Sequence, residues 1–127
     1  MNSTAALAYL GDAVFELRVR EMLLAKNETT NAMNNLNRQA RKYVSATAQA
    51  AMYHAVFPHL TEEEQAVMKR GRNLHSVSRA KNADAVAYRH ATGLETLFGY
   101  LHENEAHERM QAIFAMCVAC IEERNIK

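Results

Sequence analysis

The chain has no tryptophan, one proline and four glycines among its 127 residues. So few chain breakers favour long helices over a fold of many turns. No stretch of about 18 apolar residues runs without a charge, so no membrane span is expected. The first residues lack a basic segment followed by an apolar run and a cleavage site, so no secretory leader is expected and the chain reads as cytoplasmic. An excess of one charge is missing too. Fifteen Lys and Arg against fourteen Asp and Glu leave a net charge of +1, so any nucleic-acid surface must arise from local clustering. Cysteine is scarce: Cys117 and Cys120 form a single CVAC. One such pair cannot build a four-ligand zinc site alone, and it lacks the βαβ context of a redox motif. Both thiols read as reduced residues packed in a terminal helix.

What is present is an ordinary globular mixture, 49% hydrophobic and 23% charged. The length suits one domain over residues 1–127, all-α, with five to seven helices. The first helix is expected from Ser3 or Thr4 to Lys26, with Leu7, Leu10, Val14 and Leu17 as its buried stripe. Residues 27–31 read as a connection. Further helices are expected over about 31–41 and 44–57, where Pro58 ends the run. Thr61 and Glu64 form a capping box for the next helix, with Gly71 as its C-terminal stop. NLHSVSRAKNAD reads as a loop. A long helix follows over about 83–102, and Asn104 reads as the N-cap of a last helix to about residue 124.

Most acids have simple explanations. Glu62, Glu63 and Glu64 favour a helix N-terminus, as do Glu105 and Glu108. Glu16 can pair with Arg20 one turn on. Asp12 in LAYLGDAVFE and Glu95 in ATGLETLFGYL differ, because each is a lone acid in an apolar run, where burial of its charge would need compensation. Carboxylates on two helices could share a divalent cation; magnesium accepts one or two of them together with waters and phosphate. Structural pairing with an Arg or a helix N-terminus is the other explanation.

The cations cluster. Lys69, Arg70, Arg72, Arg79 and Lys81 fall in one segment with no acid among them, with Asn73 between, and Arg41 and Lys42 form a second group. Such donors suit phosphate contacts. Tyr43 and Tyr88 form no recognisable stacking platform, which argues against a single-strand reader and leaves duplex backbone recognition open. HENEAH, from His102, spaces its histidines five apart across Asn104, so it is not a metalloprotease H-E-x-x-H motif. His54, His59, His75 and His90 make no ligand pattern in the sequence.

LAYLGDAVFELRVREMLL resembles the signature helix of the ribonuclease III family, which reads roughly L-E-F-L-G-D-[SA]-V-L. ATGLETLFGYL resembles that family's second motif, A-D-A-F-E-A-L-[IL]-G. EEEQAVMKRGRN, AKNADAVAYRHATGLETLFGYL and RKYVSATAQA are similar to its Mini-ribonuclease III branch, which has a catalytic domain and no double-stranded-RNA-binding domain. The likeness runs along almost the whole chain.

The resemblance implies an all-α endonuclease fold acting as a homodimer, with Mg2+ (Mn2+ able to substitute) and double-stranded RNA as substrate. Products would carry a 5′-phosphate and a 3′-hydroxyl, and the native substrate would be a large-subunit ribosomal RNA precursor. The family's essential Asp falls on Asp12 and its last Glu on Glu95, as catalytic metal ligands. Two further carboxylate positions fall on Ala8 and Thr92, so the set is reduced, with Thr92 or Glu16 as auxiliary candidates. Lys69, Arg70, Arg72, Asn73, Arg79, Lys81, Arg41 and Lys42 are the RNA-binding candidates, and Tyr9 and Leu10 are the candidates for the dimer interface. Two other function classes stay open on the residues: a helical RNA-binding or assembly module without chemistry, and a metal hydrolase of small phosphate esters.

Overall fold

The computed structural model describes residues 2–26, 33–75 and 83–126. It contains α1 (Thr4–Lys26), α2 (Met33–Val44), α3 (Ala46–Val56), α4 (Glu62–Arg72), α5 (Ala83–Glu103) and α6 (His107–Ile126). Short 3₁₀ turns, Phe57–His59 and Asn73–His75, follow α3 and α4. No strand occurs among the described residues. The expected connection at 27–31 and most of the loop before α5 lie outside them.

Helix α5 is the axis of the bundle, packed by α1, α3, α4 and α6. Its second half is buried almost all round, through Leu94, Leu97, Phe98 and Leu101. A helix buried on every side carries no single apolar stripe. Phe15, Phe98 and Phe114 join α1, α5 and α6 edge to face, with centroids 5.1, 5.9 and 6.3 Å apart. Cys117 is buried against this core, as expected of a packed thiol, and burial pushes its ionisation far up, which makes it inert.

The buried face of α1 is Leu7, Gly11, Phe15, Val19 and Leu23, stepping by four. This corrects the expected stripe: Leu17 is 58% exposed, and Leu10 and Val14 are only half-buried. Counting apolar residues could not register Gly11 as a core position, yet it marks the closest approach of α1 to α5.

Other local signals divide. Thr61 caps α4, its side chain accepting from the Glu64 N–H at 3.1 Å while Glu64 accepts from the Thr61 N–H at 2.9 Å. The same Glu64 carboxylate is nearly buried and takes a bidentate pair of hydrogen bonds from Arg109 of α6, at 2.8 and 2.9 Å. Arg109, with the capping bonds, holds that carboxyl below the usual range. Gly71 does not stop α4. It lies inside the helix, where a Cβ would fall 2.2 Å from the Thr96 hydroxyl, so it makes room for α5. Nor does Asn104 start α6. Its side chain donates to the Tyr100 carbonyl at 3.0 Å, closing the end of α5, and Glu105 turns the chain at φ 55°. Helices α2 and α3 meet at Ser45, whose hydroxyl caps α3 by accepting from the Ala48 N–H.

Candidate active site

The crossing of α1 and α5 sets the positions of the two lone acids. A Cβ on Gly11 would sit 1.6 Å from the Glu95 carbonyl oxygen, and one on Gly99 would sit 2.0 Å from the Leu7 carbonyl oxygen. The two backbones therefore touch, and no side chain larger than hydrogen fits between them. Asp12 follows Gly11 by one residue, a turn of about 100°, which carries it out of the contact to the solvent side. It is exposed, not buried as its apolar neighbours implied. The burial cost expected for Asp12 therefore does not arise. Glu95 is half-buried on the facing helix.

These acids act on each other. Glu95 is pushed up to about 8, first by burial, then by the negative charge of Asp12 and by sharing a hydrogen bond with it. Glu16 adds further negative charge, while the Gln49 amide donates to Glu95 and opposes the rise. In the absence of a cation, the Glu95 carboxyl therefore holds its proton at neutral pH.

Gln49 escaped the sequence reading. It is 3% exposed on α3, and the visible signal was a lone amide in ATAQAAMYHAV. Of the auxiliary candidates, Glu16 does face Glu95 and also pairs with Arg20 at 3.6 Å in solvent. Thr92 is buried and its hydroxyl donates to the Tyr88 carbonyl at 3.0 Å, so its proton serves its own helix.

The donor set is all oxygen: the Asp12, Glu95 and Glu16 carboxylates and the Gln49 amide. Such a set suits a hard cation of the magnesium type. Among the described residues no three Asp, Glu, His or Cys side chains converge as a complete cage. Two carboxylates suffice for magnesium when water and phosphate complete its shell.

The basic candidates form two separate groups. Lys69 and Arg70 are exposed on the last turn of α4, Arg72 is half-buried, and its Nε donates to Asn73 at 3.2 Å. Arg79 and Lys81 lie outside the described residues. Arg41 and Lys42 are exposed at the end of α2, where Lys42 lines a cavity of about 240 Å³ with Ser45, Thr47 and Arg124. On α1, Tyr9 is 86% exposed and Leu10 half-buried. A cavity of about 500 Å³ between α1 and α6 is lined by neither Asp12 nor Glu95. No described helix is long and apolar enough to cross a membrane.

Comparison with known proteins now adds to this geometry. A family model described as the ribonuclease III domain matches residues 5–105. The Mini-ribonuclease 3 of Enterococcus faecalis is 45% identical, over 96% of this chain and 92% of its own length. That of Streptococcus pneumoniae is 44% identical, over 92% and 91%. A crystal structure of a protein from Fusobacterium nucleatum superposes with a TM-score of 0.77 at 27% identity, covering 92% of each chain. Matches to the domain and to relatives of nearly the same length agree: the chain belongs to the ribonuclease III family, in its Mini-ribonuclease 3 branch.

Proposed function

We propose that this endoribonuclease hydrolyses double-stranded RNA at the site formed by Asp12 and Glu95, using Mg2+ or, in its place, Mn2+. The observation that carries the reading is the meeting of two acids from separate helices at a backbone-to-backbone crossing, with Glu95 held well above its ordinary range. A divalent cation held by Asp12 and Glu95 supplies charge stabilisation at the phosphate and an activated water. Gln49 fixes the Glu95 carboxyl, Glu16 adds negative potential, and Gly11 and Gly99 keep the two helices at the spacing the pair needs. Lys69, Arg70 and Arg72 provide backbone phosphate contacts at the end of α4. A site on the rim of a helix crossing, outside the large cavity, suits a polymer better than a small ester.

On this reading residues 1–127 form one catalytic unit working in the cytoplasm. The products carry a 5′-phosphate and a 3′-hydroxyl, and the native substrate is a large-subunit ribosomal RNA precursor. The chain works as a homodimer that pairs through α1, at Tyr9 and Leu10, with the exposed Leu17 as a further apolar residue of that helix.

Asp12→Asn and Glu95→Gln test the site. Both should keep helical content and lose cleavage of a duplex RNA in Mg2+, with EDTA as the control for the parent protein. Full activity of either variant overturns the assignment. Parent protein that binds the duplex without cutting it returns the chain to the class of binding modules.

A further inference from the structure

One turn along α3 from Gln49 lies Tyr53, 2% exposed. Its ring packs against α5, where a Cβ on Gly93 would fall 2.8 Å from the ring edge. The ring also stacks on Phe57 at 5.8 Å and meets His90 edge to face at 4.8 Å. Yet the Tyr53 hydroxyl has no partner in good hydrogen-bond geometry, the one buried side-chain polar atom in that state among the described residues. Arg72 reaches toward its oxygen as a donor and opposes the rise that burial causes, but it leaves the hydroxyl hydrogen unused. Buried donors are almost always satisfied, so an orphan asks for an acceptor from outside.

Tyr53 lines a cavity of about 290 Å³ with His54, Lys69, Arg72 and His90, over a floor that includes Phe57. Among the described residues no carboxylate lines it. The His54 and His90 rings, scattered in the sequence, stand 4.6 Å apart, and the Lys69 ammonium lies 5.5 Å over the Phe57 ring. Three helices thus deliver a phenol, a guanidinium, an ammonium and two imidazoles to one space. All can donate, and most carry or can acquire positive charge. Burial first, and then the charges of His90 and Arg72, hold His54 below its ordinary range; a bound anion would relieve the second, like-charge part.

We propose that this cavity is a phosphate site, and that in the working enzyme the group it holds is a backbone phosphate of the duplex, near the one bound at Asp12 and Glu95. Tyr53 follows Gln49, the partner of Glu95, by four residues on one face of α3. That is about 6 Å of helix rise, so the two sites can hold phosphates of one strand. The choice of RNA as the source rests on the endoribonuclease reading; the phosphate site itself does not.

The test follows the ring signals of His54 and His90 by NMR in the full chain, with inorganic phosphate in one arm and duplex RNA on the Asp12→Asn protein in the other. Both signals should move in both arms. Tyr53→Phe should melt at or above the parent temperature while phosphate affinity falls about fivefold, the weight of one neutral hydrogen bond; a purely structural hydroxyl would not separate these readouts. His54→Gln is the second variant should Tyr53→Phe fail to fold. In the parent background His54→Gln should raise KM for duplex RNA several-fold with kcat little changed. Arg72→Gln should lower the salt slope of binding by about one. Movement with phosphate but not with RNA keeps the site and overturns RNA as its ligand. Signals unmoved by inorganic phosphate and RNA alike overturn the site. Should the parent neither bind nor cut RNA, the endoribonuclease reading fails, and the phosphate arm still decides this one.

Discussion

Replacing Glu95 by Gln should stabilise the metal-free protein while ending its chemistry. In the folded chain this carboxyl sits at about 8 against an ordinary 4.5. Between those values the folded state holds a proton that the unfolded chain has released. Stability therefore falls as pH rises through this window. The gap corresponds to at most about 5 kcal/mol. Because Glu95 is only half-buried, solvent screening leaves about 2 kcal/mol. Gln has no proton to lose, so its stability should not share this slope. Urea unfolding in EDTA at pH 5, 7 and 9 measures the difference. Parent and variant should agree near pH 5 and diverge by about 2 kcal/mol at pH 9, the variant ahead. Mg2+ at pH 8 should then raise the parent and not the variant, since only the parent keeps both carboxylates. Parallel stability profiles for the two proteins across this range would refute the account of Glu95.

Gly99→Ala puts a Cβ 2.0 Å from the Leu7 carbonyl oxygen, so α1 and α5 must separate; thermal unfolding should show a loss of about 2–3 kcal/mol together with a fall in cleavage rate. Arg109→Ala removes both hydrogen bonds to the nearly buried Glu64 and should cost about 2 kcal/mol at pH 7. Glu64 is held below its ordinary value, so this contribution is present above 4.5 and disappears as pH falls, and acid unfolding should show the two proteins converging. Neutralising Arg70, Arg72 and Lys81 together should weaken duplex binding and lower its log–log salt slope by about 2–3; an unchanged slope in a binding titration would remove this segment from the interface. Tyr9→Asp should shift sedimentation toward monomer, because it sets a charge in the most exposed apolar position of α1.

What the sequence disclosed depended on whether the signal was local. The Thr61–Glu64 capping box needs only residues three apart, and it formed as read. The bounds of α1 came out as expected, Thr4–Lys26, although only Leu7 of the stripe that suggested the helix lies on its buried face. Signals that need a second helix were ambiguous. Gly71 has the chemistry of a helix stop, but Thr96 on α5 decides that it is a packing position. Asn104 has the chemistry of an N-cap, and the nearer carbonyl of Tyr100 claimed it for the helix before. The acids show the same division. Their isolation in apolar runs was visible and the resemblance paired them, but how they meet was not legible, because it depends on glycines at 11 and 99 falling opposite one another. Gln49 and the His54–His90 contact were hidden for the same reason.

The proposed site raises the question of how two carboxylates would do the work for which the family signature has four. Each carboxylate added beside Glu95 would push its ionisation further up and make the metal-free fold costlier at neutral pH. Ala8, one turn before Asp12, and Thr92, one turn before Glu95, withhold that charge. Precision is supplied instead by parts that carry none: two glycines that lock the helix axes in contact, and a buried amide on α3 that holds one carboxyl. On the proposed function, cations at the end of α4 would share the task of binding phosphate, which would lower the demand on the metal. A sparse metal site would be workable where the scaffold around it is tightly packed, and the α1–α5 crossing admits no side chain between its two backbones.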